Sequence, residues 1–263
     1  MSELSDYFAI LRKRGFSTTF RELRSRFIRQ SPKIAIRRVM DLCEKYNSVF
    51  TFYITGNTAM RNRDFIREII NRGHSIECHG FNHIRFDSKD ETVIRNDLKA
   101  ARQLYEKCFN HCVCGFRAPY LKLDSRAAGI LKNERFAFSS STLGNEWFEY
   151  DCGLTEIPIS ICDWHVLIKD NKSNDYMISK LLDSQEDGNV FELHPWRIGQ
   201  KRYIEILEEF LKQKRTNCVS QKQLYEDKNN SIALTGDVGE FGLSEIFIRA
   251  FSKSDSNCKR FLD

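Results

Sequence analysis

Cys78-His79-Gly80-Phe81-Asn82-His83 follows the β-prone run His74 to Cys78 and carries two imidazoles four positions apart. Placed just past a strand end, both rings can turn onto one divalent metal, and neutral imidazole is the commonest protein ligand for zinc and similar ions. Two ordinary polar histidines would look the same in isolation. The neighbouring elements decide between the readings.

Outward from this stretch, strand and helix patterns alternate. Ser31-Pro32 forms an N-cap and first-turn pair, and Ile36, Val39, Met40 and Cys43 repeat at helical spacing to about Tyr46. A strand is predicted at Val49 to Ile54, after which Phe65, Ile66, Ile69 and Ile70 make an apolar helical face that Gly73 ends. Further helices are predicted near Glu91 to Tyr105, Ser125 to Lys132, Asp175 to Leu182 and Tyr203 to Lys212. Strands fall between them at Val113 to Phe116, Phe136 to Ser140, Leu154 to Ile159 and Asn189 to Leu193, with a last short one near Cys218. Such alternation argues for parallel strands wrapped by helices, and barrels of this kind assemble their sites at the C-terminal strand ends.

At or just beyond those ends stand Arg117-Ala118-Pro119-Tyr120, Glu156-Ile157-Pro158-Ile159-Ser160 leading into Asp163-Trp164, and Phe191-Glu192-Leu193-His194-Pro195-Trp196. With HGFNH ahead of them, and Thr51-Phe52-Tyr53-Ile54-Thr55-Gly56 before that, these motifs resemble those of the polysaccharide deacetylases, the NodB-like family of metal-dependent de-N-acylases. The resemblance runs from about Val49 to about Leu211. It implies an α/β fold, a distorted or incomplete (β/α) barrel of the polysaccharide deacetylase type. It also implies hydrolysis of the N-acetyl or N-formyl group of an amino sugar in a glycan or glycolipid. The resemblance places a divalent metal on His79 and His83, zinc first, with cobalt, nickel or manganese as alternatives. His194 resembles the general acid, Asp163 the carboxylate that orients it, and Arg117 the partner of the catalytic base. Trp164 and Leu193 would line the acyl pocket, Trp196 and Tyr120 the substrate groove, and the Tyr120 backbone N–H would donate to the oxyanion.

The family's first motif is absent from its expected place. A strand ending in Thr-Phe-Asp-Asp, which supplies the base and a third metal ligand, belongs roughly 25 residues before Thr51, where this chain has the arginine-rich segment Arg24 to Arg29. Three explanations stay open. Glu22, in the helix-opening Thr19-Phe20-Arg21-Glu22, could be a displaced carboxylate. Alternatively, Ser231 to Gly239 reads as an orphan first strand with Asp237 as the base and a valine or glycine where the second carboxylate belongs, followed by an apolar helical run from Phe241 to Phe251. Otherwise the motif is lost, and the chain is a catalytically inactive, deacetylase-like glycan-binding or scaffold protein.

Composition bounds the remaining possibilities. The 263 residues, 41% of them hydrophobic, suffice for a sizeable core, and no apolar run approaches the roughly 18 residues of a membrane span. Residues 1–31 read as a basic helical extension, 32–226 as the barrel domain and 227–263 as a C-terminal extension able to supply a strand. Residues 1–40 hold ten Lys or Arg against three Asp or Glu, a net of +7, so the rest of the chain carries −2 of the overall +5. That basic face is either a solvated helix surface or a contact with the lipid headgroups of an anionic membrane surface or with a phosphorylated glycan carrier. Nucleic acid is not expected, because no nucleic-acid motif accompanies the charge. With no export signal in the sequence, a cytoplasmic protein is expected and the nine cysteines read as thiols. Cys108, Cys112 and Cys114, grouped about His111, lack the second C-x-x-C pair of a zinc site and read as structural thiols.

Overall fold

The computed structural model describes residues 32–227 and 231–239. The expected basic N-terminal helix, with Glu22 and its contact to an anionic membrane surface, and the helical run after Phe241 lie outside them.

Strands β1 (Phe50–Ile54), β2 (Ser75–Cys78), β3 (Gly115–Phe116) and β4 (Phe138–Ser139) continue through β5 (Phe148–Glu149), β6 (Thr155–Glu156) and β7 (Ile161–Cys162). They are followed by β8 (Val190–Glu192), β9 (Asn217–Val219) and β10 (Ser231–Val238). The order across the sheet is β5-β6-β4-β3-β2-β1-β10-β8-β7, with β9 also on β10. Every pair is parallel except β5 with β6. The sheet curls without closing, which makes the fold an incomplete (β/α) barrel of the polysaccharide deacetylase type. The last described strand therefore lies between β1 and β8, near the middle of the sheet, with Phe50 opposite Leu234 and Tyr53 opposite Asp237.

Period-two alternation sorts the strand residues into two layers. Phe50, Phe52, Ile54, Ile76, Cys78, Phe191, Leu193, Ile232 and Leu234 face the helices in the main apolar core. Their alternates Thr51, Tyr53, Glu77, Arg117, Glu192, Thr235 and Asp237 face the concave side. This is a polar interior, and a one-residue register slip would put it against the helices.

The helices are α1 (Pro32–Lys45), α2 (Gly56–Arg61), α3 (Arg63–Asn71), α4 (Glu91–Phe109), α5 (Ser125–Asn133), α6 (Asn174–Asp183), α7 (Pro195–Ile198), α8 (Ile204–Gln213) and α9 (Gln221–Asp227). In α1, Ala35, Ile36, Val39, Met40 and Cys43 form the buried stripe that the sequence spacing predicts. Side-chain caps start α5, where Asp124 accepts from the Ala127 N–H at 2.7 Å, and α6, where the Ser173 hydroxyl accepts from Tyr176 N–H at 3.1 Å.

Several elements depart from the sequence reading. The single expected strand at 154–159 is only two residues long and hairpins onto β5, while β7 is additional. The short helices α2, α7 and α9 and the π-helical turn Trp164–Lys169 were not predicted, because each is too short to show a full apolar repeat.

Candidate active site

His79 follows β2 on its inward-facing register. Its Nδ1 lies 2.8 Å from the Arg117 carbonyl oxygen, which can only accept, so Nδ1 carries the proton and the Nε2 lone pair is free. Burial lowers the His79 pKa, which keeps the ring neutral. The His83 ring packs edge-on against it with centroids 4.9 Å apart, and Tyr120 packs edge-on against His83 in turn at 4.8 Å.

The loop carrying these histidines is clamped on both sides. The Gly56 and Asn57 N–H groups, at the start of α2, donate to the carbonyls of Gly80 and Phe81 at 2.9 and 3.1 Å. From α4, the buried Asp97 carboxylate accepts from Phe81 N–H at 2.6 Å, from Asn82 N–H at 3.0 Å and from the Asn82 side-chain amide at 3.0 Å. Gly80 has φ +74, and a Cβ there would come within 2.9 Å of Asp97, so glycine is needed for this approach. His83 itself sits at φ 53, a conformation the clamp helps to hold. Asp97→Asn is therefore expected to weaken metal binding at His79 and His83 by about 10–100-fold. Chelator competition on the folded variant measures this, and unchanged affinity would refute the clamp.

Asp237 reaches the histidines from the opposite end of the chain. Its Oδ2 lies 3.7 Å from His79 Nε2, and its Oδ1 is 3.3 Å from an Arg117 terminal nitrogen. Just past it, the Gly239 carbonyl accepts from the hydroxyls of Thr55 at 2.8 Å and Thr58 at 2.5 Å, which ties the exit of β10 to the β1–α2 corner. Gly236 is required in β10, because a Cβ would come within 2.3 Å of the Leu193 carbonyl oxygen. Burial opposes ionisation of Asp237, yet the neighbouring His79, Arg117 and His194 hold its pKa below the ordinary aspartate range.

Arg117 is fully buried. Its guanidinium donates to the Ser140 carbonyl, the Ser140 hydroxyl, Thr235 Oγ1 and Asp237, and it stacks 4.3 Å over the Tyr53 ring. Burial disfavours its charge, but Asp237 and Glu192 more than compensate, so Arg117 remains a permanent cation.

His194 ends β8 and caps α7. Its Nδ1 donates to Asp163 Oδ1 at 2.6 Å, and its backbone N–H donates to Asp163 Oδ2 at 3.1 Å. Burial alone would lower the His194 pKa, but the charge and hydrogen bond of Asp163, with Glu192 and Asp237 behind, push it up to about 9. Trp196 packs edge-on to His194 at 5.7 Å, and the Arg197 guanidinium sits 4.9 Å over Trp164 and 4.8 Å over Trp196.

The structure thus brings His79, His83, Arg117, Asp163, His194 and Asp237 to the C-terminal ends of adjacent strands, with Tyr120, Trp164 and Trp196 around them. Leu193 is different: it has no exposed surface and packs in the core beneath the helices. The His111 ring lies 2.9 Å from the Ile76 carbonyl oxygen, and no metal-type cluster forms with Cys108, Cys112 or Cys114 among the described residues. Sequence reasoning missed the roles of Asp97 and Glu192. Glu192 carries a visible signal, a carboxylate inside an otherwise apolar strand, and burial raises its pKa to about 7.

The donor types suit a divalent metal: the His79 and His83 rings lie side by side, His79 presents its Nε2, and an Asp237 oxygen is 3.7 Å from it, although the three donors do not come together as closely as a filled ligand set. The residue after Asp237, Val238, is buried and apolar and offers no further oxygen.

Comparison with known proteins agrees with this geometry. The family model described as polysaccharide deacetylase matches residues 30–138. A bifunctional xylanase/deacetylase of Pseudobutyrivibrio xylanivorans is 21% identical over 218 residues, 81% of this chain and 32% of that protein, so the chain spans about a third of that relative's length. A solved Mycobacterium smegmatis protein assigned to the polysaccharide deacetylases superposes with a TM-score of 0.61 at 22% identity, covering 83% of this chain and 78% of that one. A CE4 family pseudoenzyme from Bacillus anthracis superposes at 0.58 with 15% identity, covering 78% of this chain and 65% of that one. With the motifs in order and the fold matched, the chain is similar to the polysaccharide deacetylases, in sequence over residues 30–138 and in fold over most of the described residues.

Proposed function

We propose that this chain is a metal-dependent deacetylase that removes the N-acetyl group from an amino sugar of a glycan or glycolipid. The observation that carries this reading is Asp237: β10 delivers a carboxylate to the His79 and His83 pair and to Arg117, in the chain's own way of replacing the missing first motif.

A divalent metal held by His79 and His83, with Asp237 in reach, would act as a Lewis acid toward the acyl carbonyl. The remaining roles belong to side chains. Asp237, kept ionised and oriented by Arg117, accepts a proton from the attacking water. The Tyr120 backbone N–H donates to the oxyanion of the tetrahedral species. His194, protonated and held by Asp163, gives its Nε2 proton to the leaving nitrogen. An amine departs only when protonated, whereas an alcohol leaves more readily, so a strongly held imidazolium favours an amide over an ester substrate. Trp164, Trp196 and Tyr120 offer aromatic faces for sugar rings.

Val238 favours one competing reading, a glycan-binding protein without turnover, since the third metal ligand of the family is replaced by a buried methyl-bearing side chain. A pseudoenzyme also shares the fold. Metal analysis and acetate release separate the two. The active reading expects about one zinc or cobalt per chain, acetate from N-acetylated chitooligosaccharides in preference to O-acetylated xylan, and loss of both in the His79→Ala, His83→Ala double variant. Bound glycan with no acetate released by the metal-loaded protein would establish the binding reading instead.

A further inference from the structure

Two potential ligands that the chemistry above does not use, Cys162 and Glu192, stand beside His194, which it does. Cys162 and Glu192 are direct cross-strand neighbours in the β7/β8 pairing, and His194 lies two residues beyond Glu192 on the same face. The Cys162 sulfur, a Glu192 carboxylate oxygen and a His194 ring nitrogen all lie within 4.8 Å of one another. Cys162 and Glu192 are 6% and 2% exposed, so water contributes little to solvating either.

We propose that Cys162, Glu192 and His194 form a second cation position, separate from His79 and His83, that takes a thiophilic divalent ion such as zinc. The sheet order supports a separate position: His79 leaves β2, Asp237 stands on β10 two strands away, and the new cluster lies beyond it on β8 and β7. The donor set is one sulfur, one oxygen and one nitrogen, which suits zinc or cobalt and is a poor choice for magnesium or calcium. Around zinc, ligand atoms stand roughly 3.5 Å apart, and side-chain adjustment brings donors that lie within 4.8 Å of one another to that spacing. Asp163 completes the arrangement. It accepts from His194 Nδ1 and leaves Nε2 as the nitrogen available to an ion, the carboxylate–histidine–metal relay common to protein metal sites. Binding forms metal–sulfur, metal–oxygen and metal–nitrogen bonds, with the thiol proton and the Nε2 proton released to solvent.

Occupancy has a consequence for turnover that rests on the proposed role of His194. An ion on Nε2 replaces the proton that the leaving nitrogen needs, so the second ion inhibits.

Cobalt titration of the full chain tests the site. A second equivalent of Co2+ should bring in the intense near-ultraviolet thiolate-to-cobalt absorption, and Cys162→Ser should abolish it. Glu192→Gln should lower the affinity of this second ion by at least about tenfold, and melting of the metal-free variants verifies that both fold. His79→Ala should remove only the weaker visible bands of the first ion. Absence of a thiolate band in the wild type, or its survival in Cys162→Ser, overturns the proposal while leaving the first metal position intact. A thiolate band without any ion at His79 would retain this site and overturn the metal reading of the active site.

Discussion

Arg117→Met should destabilise the folded protein by about 3–5 kcal/mol near neutral pH, the cost of leaving buried charge without its partner. The guanidinium is wholly buried and uses its hydrogen-bonding capacity on Ser140, Thr235 and Asp237, with Glu192 at 3.8 Å. Methionine keeps much of the volume but leaves the Asp237 and Glu192 carboxylates without their counter-charge. The loss should shrink on acidification, and the sign follows from Asp237. Because its folded pKa is depressed, its stabilisation is present above the ordinary aspartate range and is lost as pH falls through the folded value. In the variant both carboxyls take up protons more readily, so the difference from wild type narrows at low pH. Urea denaturation at several pH values measures this. A pH-independent loss would mean that Arg117 acts by packing alone.

His194→Ala should lower turnover by about 10²–10⁴-fold with the fold and the metal at His79 and His83 retained. The wild-type pH profile supplies an independent signature. Asp163 holds the His194 proton up to about pH 9, so kcat/KM should decline above that value as the imidazolium is lost. Its contribution to stability has the same direction, fully present below the ordinary histidine range and lost as pH rises through about 9. Asp163→Asn removes the charge that raises the pKa, and the alkaline limb should then move to lower pH. A limb that stays in place would detach His194 from the proton transfer, and full activity in His194→Ala would remove it from the mechanism.

Much of the fold was legible because burial follows simple periods. The α1 stripe, the all-apolar outward face of β1 and the long helix α4 each repeat over enough residues to be read directly. The pieces that escaped are short. Strands of two residues such as β5 and β7, and helices of four to seven residues such as α2, α7 and α9, do not complete a period, and their hydrogen bonds are set by neighbours. Leu193 was misjudged for a related reason. A strand motif names adjacent residues, but pleating sends His194 into the site and Leu193 into the core behind it.

The sequence by itself determined the chemical inventory: two histidines past one strand, an arginine past the next, an Asp-Trp pair, a His-Pro-Trp and a spare Thr-Gly-Asp near the end. Those residue types and their order are local facts. Only the tertiary structure decided that Asp237 stands 3.7 Å from His79, across 158 positions of chain, because that distance depends on β10 finding the gap between β1 and β8. An unpaired strand edge there would leave backbone donors and acceptors without partners. Parallel pairing, the apolar outward face of Ile232, Leu234 and Val238, and the Thr55 and Thr58 bonds to Gly239 together select one register. That register turns a distant aspartate into a site residue, and it arises from cooperative packing that no local stretch encodes.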